Sequence, residues 1–271
     1  MILVDGQPQD HVSAQDRGLL YGDGLFETIR FVEGAAPLWS RHMRRLAAGC
    51  DRLHLPAPDP GALWREVSMV SRGMAQAVVR ITLTRGAGTR GYAMPAAPRA
   101  TRIVAAFPMP VLDGAAYRDG LRLHLCGMRL AGQPLLAGIK HLNRLEQVLA
   151  RAEWDDPAIA EGLLCDAQGN VISATAANLF AVVDGMPVTP ALERCGVAGV
   201  LRAELLEALP RVEVRDLPMA ECLRASELFL SSSVRGILPV QAVADKVFAP
   251  GPVARAMQAH WSALGFPMEQ A

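Results

Sequence analysis

Short apolar runs broken by glycine turns decide what this chain can fold into. Asp5-Gly6 follows residues 2–4, Glu33-Gly34 follows residues 25–32, and Asp184-Gly185 separates residues 178–183 from 187–189. Such dipeptides supply the positive φ angles of tight turns, so the flanking runs are expected as strands of hairpins. Residues 162–166 and 171–173 form another strand pair around Gln168-Gly169-Asn170, and residues 77–84, 102–107 and 121–125 are further β-rich runs. Between them the period changes. Trp39, Met43, Leu46, Cys50 and Leu53 recur at steps of four, three, four and three, which predicts an amphipathic helix. Helices are also expected over 61–72, 200–208 and 252–264, the last with Pro252 in its first turn and Gly265 after its end.

Pro108, Pro110 and the turn Asp113-Gly114 interrupt this pattern. The expected organisation is α+β in two domains: a smaller N-terminal α/β one at 1–108, a linker at 109–116 and a larger one at 117–271. A chain of 271 residues can bury a sizeable core. Its 27 basic and 27 acidic side chains balance, which argues against a nucleic-acid partner. No apolar run is long enough to cross a bilayer, so no membrane partner is expected. The start Met1-Ile2-Leu3-Val4-Asp5-Gly6 has neither the charged leader nor the cleavage site of a signal peptide. Cys50, Cys126, Cys165, Cys195 and Cys222 are scattered, and the histidines form no metal-spaced cluster. Buried thiols in a soluble cytoplasmic protein, with no metal site, are the expected state.

Lys140 lies within Leu136-Ala137-Gly138-Ile139-Lys140-His141-Leu142-Asn143-Arg144-Leu145-Glu146-Gln147. Leu142, Leu145, Leu149 and Ala152 follow at steps of three and four, which predicts a helix that buries one face. Lys140 then stands at or just before a helix N-terminus, where the dipole disfavours a second positive charge. A lysine driven in this way towards its neutral amine can make a Schiff base. On residue type alone, a solvated surface lysine is the commoner explanation.

Other segments change that balance. Tyr21-Gly22-Asp23-Gly24-Leu25-Phe26-Glu27-Thr28-Ile29-Arg30, His42-Met43-Arg44-Arg45-Leu46, Thr84-Arg85-Gly86, Ile139-Lys140-His141-Leu142-Asn143, Ala177-Asn178-Leu179-Phe180 and Gly196-Val197-Ala198-Gly199-Val200-Leu201-Arg202 occur in this order. Together they resemble the class IV, D-amino-acid and branched-chain aminotransferase-like family of pyridoxal-phosphate enzymes, over nearly the whole chain. Within it, residues 138–147 and 85–92 are most similar to the aminodeoxychorismate-lyase branch, which makes p-aminobenzoate and pyruvate on the route to folate.

The resemblance implies the two-domain fold of that family, with pyridoxal 5'-phosphate as cofactor attached to Lys140. It implies that Arg45 reaches the cofactor phosphate, a planar donor fork meeting a dianion. Spacing leaves open that Arg45 is one more charge on a solvated helix face, as Arg41 and Arg44 are expected to be. Between Gly196 and Arg202, glycines allow close backbone approach, and the N–H groups of Gly199, Val200 and Leu201 open a helix towards the anion. Ser232 and Ser233 carry over as hydroxyl donors, although serines at a strand end are commonly turn formers. Asn178 is expected to fix a local turn or reach a ring substituent of the cofactor.

One cofactor-contacting position departs from the family. Most members carry a glutamate five residues before the asparagine of Asn178-Leu179-Phe180, directed at the pyridine nitrogen; here that residue is Ser173. A carboxylate keeps the ring protonated and strongly electron-withdrawing, whereas a hydroxyl only hydrogen-bonds to it. Ser173 is therefore expected to favour elimination over transamination, unless another acid such as Glu161 takes the vacant role. The resemblance makes Lys140 the general base. The small-molecule substrate of that branch, aminodeoxychorismate, carries two carboxylates, so fixed cations are expected around it. Arg90 is the first choice, with Tyr92 beside it, then Arg30 and Arg235; each also fits an exposed loop or strand-edge residue. Of Glu27 and Thr28, alternation lets only one point inward. A homodimer is implied as well. The rival reading is a D-amino-acid or branched-chain aminotransferase on the same fold, which would use Lys140 and Arg45 identically. A non-catalytic binding protein that kept the fold is a further one.

Overall fold

A computed structural model describes residues 1–88, 90–111 and 113–267. Its contacts divide the chain into two compact units: Met1–Pro110 with Ile139–Asn143, and Val111–Gly138 with the chain from Arg144 onward. The first unit runs β1 (Ile2–Val4), β2 (Gln7–Pro8), α1 (Arg17–Tyr21), β3 (Gly24–Val32), α2 (Trp39–Leu53), α3 (Pro60–Val70), β4 (Gln76–Thr84) and β5 (Thr101–Pro108). Its strands form one antiparallel sheet in the order β2-β1-β5-β4-β3. The glycine turns behave as expected: Asp5 and Gly6 take φ of 51° and 80°, and Glu33 and Gly34 take 49° and 78°.

Alternation sorts this sheet into two faces. Leu25, Ile29 and Phe31 of β3 and Val79, Ile81 and Leu83 of β4 are buried on one face. Helix α2 packs on β3, and α3 packs on β1 and β5. The approach of α2 is close enough that a Cβ at Gly49 would stand 2.8 Å from Leu25 Cδ1. A polar contact is buried in this same layer. Glu27 of β3 accepts from Arg45 Nε at 2.8 Å and from Arg45 Nη2, and its Oε2 lies 2.7 Å from His42 Nδ1. Two residues of α2, one turn apart, are thereby tied to one carboxylate of the strand below.

The second unit runs α4 (Gly114–Arg118), β6 (Leu121–Leu130), α5 (Leu145–Arg151), β7 (Ile159–Asp166), β8 (Val171–Ala174), β9 (Asn178–Val183), β10 (Met186–Pro190), α6 (Val200–Ala208), β11 (Glu213–Arg215), α7 (Met219–Cys222), β12 (Glu227–Ser232), β13 (Gly236–Val243), β14 (Lys246–Val247) and α8 (Pro252–Ala263). Its sheet has the order β11-β10-β9-β12-β13-β6-β7-β8, with β14 paired to β13. Leu123, Leu163, Leu179, Val188, Leu228, Leu230, Leu238 and Val240 belong to one buried apolar cluster along that order. Helix α8 packs on β12 and β13 and is capped by buried Glu227, whose oxygens accept from Val253 N at 3.0 Å and Ala254 N at 3.1 Å. A carboxylate there meets the positive end of the helix dipole. All five cysteines are free and buried.

Two expectations need correcting. The stretch after Pro108 is not wholly a linker, because Asp113 caps α4 by accepting from Ala115 N at 3.0 Å, and the chain is helical from Gly114. The helix after Lys140 is shorter and lies differently from the apolar spacing. It begins only at Leu145, and Leu145, Val148 and Leu149 are 75%, 60% and 59% exposed, while Ala150 is buried. Spacing shows that a stripe is apolar but not which side of the helix meets the core.

Lys140 therefore owes nothing to a helix dipole. Residues 139–143 instead run beside the edge strand β3: Phe26 N donates to Lys140 O and Leu142 N to Gly24 O, each at 3.0 Å, and Leu25 pairs with His141.

The Glu27 contact has a measurable signature. Burial on its own raises this carboxyl, but the charge and hydrogen bonds of Arg45, then of His42, outweigh it and hold the pKa down from 4.5 to about 2. A folded-state value below the unfolded one gives stability that is complete above pH 4.5 and lost as pH falls through 2. Glu27→Gln is expected to destabilise the protein by roughly 3 kcal/mol at neutral pH. Urea titrations across pH should show the gap to wild type closing only in that acid window.

Candidate active site

In the first unit, the edge pairing fixes the backbone of Lys140 and turns its side chain onto the sheet face opposite α2. Lys140 Nζ lies 4.2 Å from the centroid of the Phe26 ring. The guanidinium carbon of Arg80 lies 4.3 Å from the same ring. Register explains the grouping. Phe26 stands opposite Thr82 and Thr28 opposite Arg80, so all four side chains project from one face. Arg80 Nε also donates to Thr82 Oγ1 at 3.2 Å. Arg30 follows on the same face of β3; it is buried and donates through Nη2 to Gln76 Oε1 at 2.9 Å. The expected candidates Lys140, Thr28 and Arg30 thus share a face with Arg80, which sequence reasoning passed over. The available signal was a charge set inside the apolar run Ala77-Val78-Val79-Arg80-Ile81, at the alternate position to Thr82.

Arg45 belongs to the other face. It is no solvated helix charge, since its side chain is 14% exposed and forks onto Glu27. His42, completing the contact, is held below its ordinary pKa chiefly by burial, with the charges of Arg45 and Lys140 adding to that and Glu27 opposing it. A neutral imidazole that donates Nδ1–H to Glu27 satisfies this arrangement. Arg90 and Tyr92 lie on the loop between β4 and β5, both exposed, and the ring of Tyr92 is 5.4 Å from that of Tyr21. Neighbouring Thr89 lies outside the described residues.

In the second unit, Gly138 pairs with Val197: its N–H donates to Gly196 O at 3.0 Å, and Ala198 N donates to its carbonyl at 2.9 Å. Asn178 Nδ2 donates to Val197 O at 2.9 Å, which ties the start of β9 to this turn. The turn ends at Gly199, the N-cap of α6, which has no side-chain cap of its own. A Cβ at Gly199 would fall 2.0 Å from Asn178 Oδ1, so any larger residue would have to displace the Asn178 side chain. Val200 and Leu201 open α6 in its first turn, where helix N–H groups lack partners within the helix.

Ser232 Oγ accepts from Val234 N at 3.3 Å and Arg235 N at 3.4 Å and so closes a turn, with Ser233 inside it. A buried hydroxyl without a partner among the described residues is Ser231 Oγ. Ser231 stands opposite Asn178 in the β12–β9 register, hence on the same sheet face as the side chain that abuts Gly199. Only the strand register could have told Ser231 from its neighbours.

Ser173 is buried on β8, opposite Leu164 of β7. Glu161, the acid that could have replaced the missing glutamate, is already engaged: it accepts from Arg235 Nη2 at 2.5 Å and from Thr175 Oγ1. The same pair commits Arg235 elsewhere than to a substrate carboxylate. Spacing also hid a cluster in which ligand atoms of His124, Cys126 and Glu153 lie within 4.8 Å of one another. Glu153 there accepts from Gly127 N at 2.6 Å and Met128 N at 2.8 Å, which makes it a tie for the β6 bulge. Burial, then the charges of Glu153 and Glu161, push the Cys126 thiol up to about 12.

Comparison with known proteins adds what geometry alone does not carry. Residues 24–243 match the family model described as amino-transferase class IV. The aminodeoxychorismate lyase of Vibrio harveyi is 38% identical over 251 residues, covering 90% of this chain and 91% of that protein. The crystal structure of 4-amino-4-deoxychorismate lyase from Pseudomonas aeruginosa has a TM-score of 0.92 at 46% identity, covering 97% of this chain and 98% of that one. The branched-chain amino acid aminotransferase from Escherichia coli shares the fold with a TM-score of 0.85 at 23% identity, over 99% of this chain and 95% of its own. The chain therefore belongs to the class IV aminotransferase family, whose enzymes depend on pyridoxal phosphate.

Proposed function

We propose that this chain is an aminodeoxychorismate lyase, converting 4-amino-4-deoxychorismate to p-aminobenzoate and pyruvate by breaking the carbon–oxygen bond to the enolpyruvyl group. End-to-end similarity to two proteins of that name is the observation that carries the reading. The residues present fit a phosphorylated pyridine aldehyde. A nine-residue helix with no side-chain cap and a glycine at its start, and a buried Ser231 hydroxyl with no partner among the described residues, suit a phosphate group. Gly199, Val200 and Leu201 would offer N–H groups to it and Lys140 the amine that attaches the aldehyde; Arg45, on the α2 side of β3 and forked onto Glu27, would add positive charge.

Bound pyridoxal phosphate supplies the electron sink for this reaction. The protein does the rest. Lys140, which would hold the cofactor, would also serve as the base that takes the proton from the substrate carbon bearing the amino group. The electron pair released leaves with the enolpyruvyl oxygen as the ring becomes aromatic, and protonation of enolpyruvate at carbon gives pyruvate. Phe26, against the Lys140 amine, keeps that nitrogen beside an apolar ring and away from bulk water. Arg80, Arg90 and Arg30 supply positive charge for the two substrate carboxylates, with Thr28 and Tyr92 as neighbouring hydroxyls.

Ser173 fits elimination better than transamination, because a hydroxyl cannot keep the ring nitrogen protonated as a carboxylate does. Two further parts of the reading rest on surfaces and thiols. The exposed Leu145, Val148 and Leu149 of α5 suit cover by a second copy, so we assign a homodimer. Free cysteines throughout suit a reducing cytoplasm.

Borohydride reduction followed by peptide mapping should label Lys140, and Lys140→Ala should lose both label and activity; label on Lys246, the other lysine, would overturn the assignment. Purified protein should release pyruvate from aminodeoxychorismate with no keto acid added, whereas amino transfer without pyruvate would favour the aminotransferase. Arg80→Gln is expected to raise KM about ten- to a hundredfold, the loss of one or two charge-assisted contacts. Ser173→Glu should gain amino transfer to a keto acid at the expense of pyruvate release, measured as the ratio of the two products.

A further inference from the structure

Asp23 lies between two buried arginines that the proposed chemistry does not use. Its Oδ2 accepts from Arg17 Nε at 2.9 Å and from Arg85 Nε at 2.8 Å, and its Oδ1 accepts from Arg85 Nη2 at 3.0 Å. Burial alone would raise this carboxyl, yet Arg85 and Arg17 together hold it below its ordinary value. The side chains of Arg17 and Arg85 are only 4% and 2% exposed. Each arginine spends its remaining donors on main-chain carbonyls. Arg85 reaches the C-terminal end of α2, at Leu53 O (2.7 Å) and His54 O (2.8 Å).

Arg17 reaches the loop between β4 and β5. Its Nη1 donates to Gly91 O at 2.9 Å and Ala93 O at 3.4 Å, and its Nη2 to Tyr92 O at 3.3 Å. From the same short helix, Tyr21 OH accepts from Gly91 N at 3.3 Å. The start of the loop is seated separately, by the pairing of Asp16 with Ala87 and by Gly88 N donating to Gln15 O at 3.3 Å. One planar guanidinium thus gathers three consecutive carbonyls, and the side chains on that stretch turn outward: Tyr92 is 86% exposed. A lysine could not do this, because a single ammonium cannot span three carbonyls and also keep a fork on Asp23.

We infer that Arg17, charge-balanced by Asp23, is a positioning residue that holds the β4–β5 loop in the shape from which Arg90 meets a substrate carboxylate. What Arg90 meets rests on the lyase reading; the grip on the loop does not. An exposed loop held mainly by one side chain opens locally when that side chain is lost, well before the fold does.

The test uses the full-length holoenzyme and compares wild type with Arg17→Gln and Arg17→Lys. Limited trypsin digestion followed by mass spectrometry reads cleavage after Arg90, and kinetics with aminodeoxychorismate read KM and kcat separately. The expected result is cleavage after Arg90 at least tenfold faster, KM raised about tenfold and kcat within twofold, with the bound-cofactor absorption band unchanged. Arg17→Lys should lie between wild type and Arg17→Gln, and it carries the comparison if the glutamine variant does not fold. Unchanged cleavage in a folded variant overturns the inference, and so does faster cleavage with unchanged KM. Wild type that releases no pyruvate would sink the lyase reading instead, and the trypsin comparison would still decide whether Arg17 holds the loop.

Discussion

The edge of β3 is where the two stories of this chain, its fold and its chemistry, become one. Phe26 N–H and Gly24 C=O would otherwise face outward from an edge strand, and residues 139–143 satisfy both. Two main-chain hydrogen bonds at 3.0 Å therefore determine where Lys140 stands and which way it turns. Because side chains alternate along β3, that placement puts the amine against Phe26 on the same face as Arg80, and puts Glu27 with Arg45 and His42 on the other. A single-residue slip in this pairing would exchange the two faces.

Charge is handled by one recurring device. Glu27 sits with Arg45 and His42, Asp23 with Arg17 and Arg85, and Glu161 with Arg235 and Thr175. A lone buried carboxylate would be costly, and so would a lone guanidinium, but each of these groups meets a partner of opposite charge. These contacts tie a strand or turn to something distant in sequence: β3 to α2, α1 to the β4–β5 loop, β7 to the turn after β12. Balanced overall charge and these internal pairs are two views of the same composition.

Local order was legible from the residues; partnership across the sheet was not. Turn dipeptides located β1–β2 and β9–β10, the four-three rhythm located α2, and α6 occupies the expected 200–208. These signals depend only on neighbours in the chain. The reading of α5 failed because periodicity carries no information about which flank of a helix the core occupies. Spacing alone puts Lys140 at a helix terminus because its real neighbour, β3, lies more than a hundred residues earlier. The site follows the same rule. Lys140, Asn178 and Gly199 stand out through the motifs that contain them, whereas Arg80 and Ser231 become visible only through register with β3 and β9. Arg45 stands out in the same way, but its grip on Glu27, across eighteen positions, needs the packed helix to show it.

The cysteines give the molecule a built-in reporter. Burial pushes Cys50 and Cys195 up to about 11 and Cys126 and Cys222 up to about 12, with Cys165 also raised. A thiol that is both hidden and protonated reacts with neither alkylating agents nor oxidants at neutral pH. Four of these residues lie in the second unit and Cys50 alone in the first. The order in which iodoacetamide finds them, as the protein is warmed, would trace which half loosens first.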